Sequence, residues 1–202
     1  MKDKNIEIRN VQNIEFRKNE NGTNSRTVEG YAVRFNTPSQ DLGFIETISP
    51  EAISQETIDK SDIYARLNHD ENTVLARSRY GKGSLNLELR EDGLFYSFEC
   101  PNTNTGNELI EHLNRGEIFG SSFAMLVGDD TWTKRGDKYY RTINNIKLLA
   151  DISPVYEPAY LDTTSELRSK EKMEEIDAEI LTKLDEKMKE VDSLCENLPL
   201  SD

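Results

Sequence analysis

Short segments of alternating apolar and polar residues recur from Ile6 to Val155, and this pattern constrains the fold most strongly. In one example, Ser84–Arg90 alternates cleanly, Asp92-Gly93 is a strong hairpin signal, and Leu94–Cys100 follows as the returning strand. Alternation places every second side chain on the same face, so each strand is expected to bury one face. We therefore predict a mainly β, α+β fold: a closed or nearly closed β-barrel with peripheral helices.

Two short helices are predicted within this β-rich part. The first begins at Ser49-Pro50-Glu51, where serine caps the helix, proline suits the first turn and glutamate favours the positive end of the helix dipole. It is expected to end near Ser61. The second covers Asn107–Arg115, which has apolar residues at helical spacing, and Gly116 ends it. Both are expected to lie outside the barrel.

Two adjacent serines on a predicted strand are the first candidates for functional residues. Apolar residues flank Ser121 and Ser122 within Ile118–Met125. This arrangement is typical of a strand that carries a serine into a site, and also of an ordinary strand with two polar positions. This strand is predicted to cover Phe119–Val127 and to end at Gly128. A hairpin turn is predicted at Arg135-Gly136-Asp137, and two further strands are predicted over 139–143 and 146–155.

The composition changes after the β-rich part, which predicts a domain over residues 1–162 and an acidic helical tail over 163–202. The tail holds twelve acidic and six basic residues, a net charge of −6. Its apolar residues recur every three or four positions, which indicates an amphipathic C-terminal helix. This helix either docks on a partner or a second copy, or packs on its own domain. The stripe consists of Ile176, Ile180, Leu184, Met188, Val191, Cys195 and Leu198.

Charge and composition exclude several classes of protein. A net charge of −13 over 202 residues and a pI near 4.7 argue against binding to nucleic acid, which needs a basic face. Cys100 and Cys195 lie far apart without metal-ligand spacing, so we expect reduced thiols in a cytoplasmic protein and no metal or cofactor. Met1–Asn5 leads into no apolar segment, and no run approaches the ~20 apolar residues that span a bilayer. Neither a signal peptide nor membrane insertion is expected.

Nucleophilic catalysis by serine needs a base, and imidazole suits this role because its ordinary pKa lies near neutral pH. Of the two histidines, His69 follows a predicted strand, whereas His112 lies on a predicted helix and is expected to have no chemical role. A third group must orient the imidazole, and Asp151, an acid within an apolar strand, is a candidate. The alternatives are that His69 is an ordinary hydrogen-bonded loop residue and that Asp151 lies on the solvent face of an edge strand.

Two other classes of function stay open. Paired carboxylates among Asp70, Glu71 and Asp151 would make a different hydrolase, one that does not need His69. A binding or scaffolding protein would keep the fold without catalysis. The sequence contains no Gly-x-Ser-x-Gly elbow, which argues against an α/β-hydrolase.

An ordered set of motifs runs through residues 27–162. The motifs are Gly-Tyr-Ala-Val-x-Phe at Gly30–Phe35, Ile45–Ile53 with its Ser-Pro-Glu-Ala-Ile segment, Leu67-Asn68-His69-Asp70, Val74-Leu75-Ala76-Arg77, Gly83–Leu87, Gly120-Ser121-Ser122-Phe123, and the run from Ala150 to Tyr160. This set resembles the prohead, or capsid maturation, protease family of tailed bacteriophages. That family is similar in fold to the herpesvirus assemblins, serine proteases built on a β-barrel surrounded by helices.

The resemblance implies catalytic roles at the matching positions. His69 is the general base, Ser122, directly before phenylalanine, is the nucleophile, and Asp151 orients the histidine. The family often has glutamate where this chain has Asp151. Ser121 is a rival nucleophile, but neighbouring residues of a strand point to opposite faces, so one of the two serines can meet His69.

The resemblance also implies substrates and partners. These are the major capsid protein with its N-terminal scaffold segment, or a separate scaffold, and the enzyme itself by autocleavage. The expected location is the host bacterial cytoplasm, inside the assembling prohead. The acidic tail is expected to act as a tether or to mediate self-association.

Overall fold

A computed structural model of the chain describes residues 6–12, 14–18, 24–156 and 163–196. These residues form short and long β-strands, three α-helices and two single 3-10 turns. The strands are β1 (Ile6–Gln12), β2 (Ile14–Lys18), β3 (Asn24–Arg34), β4 (Ile45–Ile48), β5 (Asp62–Arg66), β6 (Val74–Arg79), β7 (Lys82–Gly83), β8 (Asn86–Arg90), β9 (Gly93–Glu99), β10 (Gly120–Arg135) and β11 (Lys138–Val155). The helices are α1 (Gln55–Lys60), α2 (Asn104–Arg115) and α3 (Thr163–Glu196).

The strands form two sheets that share one apolar core. The larger sheet has the order β1-β10-β11-β5-β6-β7, and β4 pairs with one end of β11. The smaller sheet has the order β2-β3-β9-β8. The core combines Tyr96 and Phe98 of the smaller sheet with Ile63, Phe123 and Ile152 of the larger one. The alternation seen in the sequence thus places every second side chain of these strands in the shared core.

The prediction of a closed or nearly closed β-barrel is wrong. The strands that the structure describes form two open sheets, and neither sheet returns to pair with its own first strand. Strand β11 branches, since it pairs in parallel with β4 over Tyr140–Ile143 and with β5 at Asp151. Alternation predicts that a strand buries one face but does not specify its neighbours, so it cannot distinguish a barrel from two facing sheets.

The hairpin that carries the two serines is longer than predicted. The first strand is predicted to end at Gly128, but β10 is 16 residues long and ends at Arg135. Strand β11 is 18 residues long and has no break after Ile143, where one is predicted. Register shifts between Leu126 and Asp130 absorb Gly128 as an irregularity within the ladder. Glycine and two aspartates therefore mark a bulged region here, and not a turn.

The first predicted helix is also corrected. Ser49 makes no capping hydrogen bond and instead donates to the Glu51 carboxylate, and Pro50–Ala52 forms one 3-10 turn. Helix α1 begins after Ser54, whose side chain forms a reciprocal capping box with Thr57. The second predicted helix is confirmed, with an earlier start that Thr103 caps and an end at Gly116 in the left-handed region (φ 70°).

Helix α3 contacts the rest of the chain at the tip of the β10–β11 hairpin. Asp177 accepts hydrogen bonds from Lys134 Nζ and Tyr139 Oη, both at 2.6 Å.

Of the predicted apolar stripe, Leu198 lies outside the described residues. The domain limits at 162 and 163 stay a prediction. Among the described residues, no helix is both long enough and apolar enough to cross a membrane.

A buried ion network ties the edge strand β1 to β11 and β4. Arg9 donates to Glu46 (Nε–Oε1, 2.6 Å) and to Glu7 (2.8 Å), and Arg141 donates to Glu7 (2.6 Å) and Glu46 (3.0 Å). Burial opposes ionisation of Glu7, but hydrogen bonds and charge from Arg141 and Arg9 outweigh it, so the pKa of Glu7 lies below its usual value. Because each buried charge has a partner of opposite sign, the set is stable only when complete.

We expect Glu46→Gln to lower the free energy of unfolding by about 3–5 kcal/mol, because it leaves two buried arginines without a full complement of negative charge. Urea denaturation measures the change. The matched control is Glu88→Gln, which removes an exposed carboxylate that Arg90 contacts at 2.7 Å. The control should change stability by less than about 1 kcal/mol. Equal effects of the two substitutions would contradict the network's role.

Candidate active site

His69 lies on a strained and tightly bonded loop at the end of β5. It is the last residue of the 3-10 turn Leu67–His69, and both Asn68 (φ 53°) and His69 (φ 62°) adopt left-handed backbone conformations. Thr73 holds the loop closed by donating its hydroxyl to the carbonyl oxygen of Leu67 at 3.0 Å. Non-glycine residues in this region cost about 1–3 kcal/mol each, and such strain concentrates at functional sites.

The imidazole of His69 is paired with the carboxylate of Asp151. Nδ1 of His69 lies 3.0 Å from Oδ1 of Asp151. Asp151 is 4% exposed and belongs to β11, between β10 and β5, so the alternative of an acid on the solvent face of an edge strand is wrong. Because an ionised carboxylate can accept but not donate, Nδ1 carries the proton and Nε2 of a neutral imidazole is left as a base.

Two residues that the sequence interpretation missed hold the Asp151 carboxylate. Nη1 of Arg66 lies 3.2 Å from Oδ2, and the Ser153 hydroxyl donates to Oδ1. The backbone N–H of Arg66 in turn donates to the Ser153 hydroxyl oxygen at 3.2 Å. Both carboxylate oxygens are therefore fixed, and the negative charge is partnered by Arg66. The sequence could have indicated Ser153, because it lies two residues from Asp151 and residues two apart share a face of a strand.

Ser122 lies on the same face of the larger sheet as this group. Ser122 pairs with Ser153 across the β10–β11 ladder, and the register is regular from Gly120 to Ala124. Directly opposed residues point to the same face, and Asp151 shares that face because it contacts Ser153. The Ser122 hydroxyl donates to the carbonyl oxygen of Arg9 in β1 at 3.1 Å, and the residue is fully buried.

Ser121 points to the opposite face, into the core. Its hydroxyl lies 2.5 Å from the hydroxyl of Tyr96, which comes from the smaller sheet. Burial raises the pKa of Tyr96 well above its usual range, so both hydroxyls remain neutral and hydrogen-bond each other. The structure therefore separates the two rival serines: Ser122 shares a face with His69's partner Asp151, and Ser121 bridges the two sheets.

The imidazole of His69 and the hydroxyl of Ser122 are not hydrogen-bonded to each other. Among the described residues, the buried Nε2 of His69 has no hydrogen-bond partner. A buried polar atom without a partner is costly, and it marks the position where a proton donor would be accepted. The arrangement offers an oriented base on the face of the sheet that carries Ser122.

The other acidic and histidine candidates lie apart from this group. Asp70 and Glu71 are exposed, and the Asp70 carboxylate accepts hydrogen bonds from the backbone and side chain of Asn72. His112 on α2 pairs with Glu117 and lies edge-on to Tyr156. In the part of the chain that the structure describes, no group of three or more His, Cys, Asp or Glu side chains is placed to hold a metal ion.

We expect Ser121→Ala to lower the free energy of unfolding by about 1–3 kcal/mol, because it leaves the Tyr96 hydroxyl buried without a partner. Adding Tyr96→Phe should recover part of this loss, since the double variant removes both polar groups. Chemical denaturation of the two single variants and the double variant measures the coupling. Strictly additive losses would show that the two hydroxyls do not interact.

Comparison with known proteins gives a family and similar solved structures. The family model for caudovirus prohead serine protease matches residues 12–179. The capsid assembly protease of bacteriophage T4 aligns with 12% identity and a TM-score of 0.47, covering 76% of this chain and 98% of that one. The comparison with curated proteins gives no significant match. Because the family model extends over most of the chain, including both His69 and Ser122, the chain belongs to the caudovirus prohead serine protease family.

Proposed function

We propose that this chain is the serine endopeptidase of prohead maturation, with Ser122 as nucleophile, His69 as general base and Asp151 as the group that orients His69. The observation that carries the proposal is the 3.0 Å contact between His69 Nδ1 and Asp151 Oδ1, on the sheet face that also carries Ser122. Family membership supports the reaction class. The relation in fold to the herpesvirus assemblins stays a prediction.

The proposed reaction begins when the Ser122 hydroxyl leaves the Arg9 carbonyl and turns towards Nε2 of His69. Oγ attacks the scissile carbonyl carbon while Nε2 takes the hydroxyl proton, and Asp151 stabilises the imidazolium that forms. The proton then passes to the leaving amine as the C–N bond breaks. A water molecule, deprotonated by the same nitrogen, hydrolyses the acyl-enzyme and restores Ser122.

The side chains around Asp151 would supply preorganisation for these steps. Arg66 and Ser153 hold both carboxylate oxygens, so Asp151 can keep the imidazole in one orientation throughout proton transfer. The loop that carries His69 has left-handed backbone conformations at Asn68 and His69, as expected where a side chain is held for function. Ser122 has no exposed surface, so we expect activation to include a rearrangement that admits the substrate.

The proposed substrates follow from the family's role in prohead maturation. They are the N-terminal scaffold segment of the major capsid protein or a separate scaffold, and the chain itself. The enzyme would act inside the assembling prohead, in the host bacterial cytoplasm. We propose residues 1–162 as the protease domain and 163–202 as a tail that tethers it to capsid or scaffold.

A second candidate function is a capsid-assembly scaffold or binding protein that keeps this fold without catalysis. One observation favours it: the Ser122 hydroxyl is bonded to a backbone carbonyl, while the Nε2 atom of His69 has no partner among the described residues. A nucleophile and base held apart would suit an inactive member of the family as well as an enzyme awaiting activation.

Cleavage separates these two candidates. We expect wild-type chain incubated with its capsid protein to give truncated products in intact-mass spectrometry, and Ser122→Ala to give none. Ser121→Ala is the matched control, because it removes the neighbouring hydroxyl from the opposite face and should keep cleavage. Cleavage by Ser122→Ala equal to wild type would overturn the assignment. Normal prohead assembly with uncleaved protein would favour the scaffold.

Replacement of the orienting acid tests the role of His69's partner. Asp151→Asn should lower kcat on the order of 10⁴-fold, because an amide NH2 group facing Nδ1 donates a hydrogen bond to it and favours the wrong tautomer. Glu71→Gln, which alters an exposed acid two residues from His69, should leave kcat unchanged. Loss of activity in Glu71→Gln together with activity in His69→Ala would instead support paired carboxylates.

A further inference from the structure

Helix α3 has two parts that differ in their surroundings. Ile176 and Asp177 are half-buried where the helix meets the β10–β11 hairpin, and Asp177 binds Lys134 and Tyr139 there. From Ala178 to Glu190 every residue is exposed. The docked part accounts for one of the alternatives left open by the sequence, and the exposed part is free to meet another molecule.

Apolar side chains are concentrated on the exposed part. Leu181 is 64% exposed, Leu184 51% and Met188 64%. Ile180, beside Leu181 on the same helix, is 38% exposed, and the other exposed large apolar side chains of the described chain lie singly elsewhere, at Val74, Tyr80, Phe119 and Leu148. Single exposed apolar residues need no explanation, whereas a contiguous set on one helix face marks a surface that associates.

The spacing of these residues is that of a coiled coil. Leu181, Leu184, Met188, Val191 and Cys195 follow one another at intervals of three, four, three and four residues, and Leu198 continues the series in the sequence. Alternating intervals of three and four are the a and d positions of a heptad repeat, in which the seam faces another helix along its whole length. The register begins at Leu181, where α3 leaves the domain.

Charges beside the seam favour a second copy of the same helix. In this register Lys187 occupies position g and Asp192 occupies position e of the next heptad. In a parallel, in-register pair of identical helices, g of one chain lies beside the following e of the other. Each Lys187 then lies beside an Asp192 of the second copy, and this contact occurs twice by symmetry.

We propose that the exposed part of α3, from Leu181 to Cys195, forms a parallel two-stranded coiled coil with the same segment of a second copy of this chain. The tail would thereby join two protease domains, each held to its own helix by Asp177. This inference does not rest on the proposed catalytic residues. The occupant is a second copy, and binding of this face to a scaffold helix with no self-association is the competing outcome.

Cysteine cross-linking tests the pairing, because the register places Cys195 at an a position. In a parallel, in-register pair the two Cys195 residues share one layer and a disulfide can form. In an antiparallel pair that fills the same seam, Cys195 is level with Leu184 of the other copy, and the two cysteines are roughly 16 Å apart along the axis. Cys100 is 2% exposed, so its thiol is not expected to cross-link under mild oxidation.

The experiment uses the full-length chain at tens of micromolar, oxidised briefly with copper phenanthroline, with the intact mass checked to verify that the tail is present. We expect a disulfide-linked dimer that Cys195→Ser abolishes, and a dimer by sedimentation before oxidation. Leu184→Lys, in the seam, should raise the dimer dissociation constant roughly 100-fold or more. Glu186→Lys, at the outward f position, should leave it unchanged.

Charge exchange supplies a second readout that misfolding would not reproduce. Lys187→Glu should weaken the dimer, and adding Asp192→Lys should restore it. A monomer in sedimentation for the wild-type chain would overturn the proposal, and so would a dimer that Leu184→Lys leaves intact. A dimer that forms no Cys195 cross-link would show that the orientation is wrong.

Discussion

The antiparallel ladder between β10 and β11 is the interaction on which the rest of the structure depends. It runs from Gly120 paired with Val155 to Arg135 paired with Lys138, and both strands have further neighbours. Strand β1 pairs with β10, while β4 and β5 pair with β11. A shift of one residue in this ladder would exchange the faces of Ser121 and Ser122 and uncouple Ser122 from Asp151.

Buried charges on the larger sheet impose a second constraint. On one face Asp151 is satisfied by His69, Arg66 and Ser153, and elsewhere Glu7, Glu46, Arg9 and Arg141 satisfy one another. Arg9 is opposite Phe123 in the register, so its side chain lies on the face opposite to that of Ser122. Strand β1 therefore contributes a guanidinium to one face and, through its backbone carbonyl, an acceptor for Ser122 to the other. Movement of this edge strand would therefore change both the ion pairs of Arg9 and the hydrogen bond from the Ser122 hydroxyl.

The two adjacent serines lie on opposite faces of β10 and have different surroundings. Ser121 joins the sheets through Tyr96, and its loss is expected to affect stability. Ser122 faces the charged group around Asp151, and Nε2 of His69, on a strained loop, has no hydrogen-bond partner in the part of the chain that the structure describes.

Much of this was predictable from the sequence, because it depends on local physics. Alternation predicted the strands from Ile6 to Val155, and the glycine at 116 predicted the end of α2. The catalytic roles of His69, Ser122 and Asp151 stay a prediction. The two-residue period alone required Ser121 and Ser122 to face opposite sides. Local signals misled where tertiary pairing overrode them, as at Gly128, which a longer ladder absorbs, and at Ser49, where Ser54 caps the helix instead.

What the sequence by itself determined was the β-rich character of the chain up to Val155 and the helical tail that follows, since each depends on residues close together in the chain. The tertiary structure alone decided that the strands form two open sheets, that Asp151 is central and buried, and that Arg66 and Ser153 hold it. It also decided that Asp177 docks α3 while Leu181 is left exposed. The physical reason is that pairing partners, burial and ion contacts join residues distant in sequence, and no local pattern specifies which of them meet.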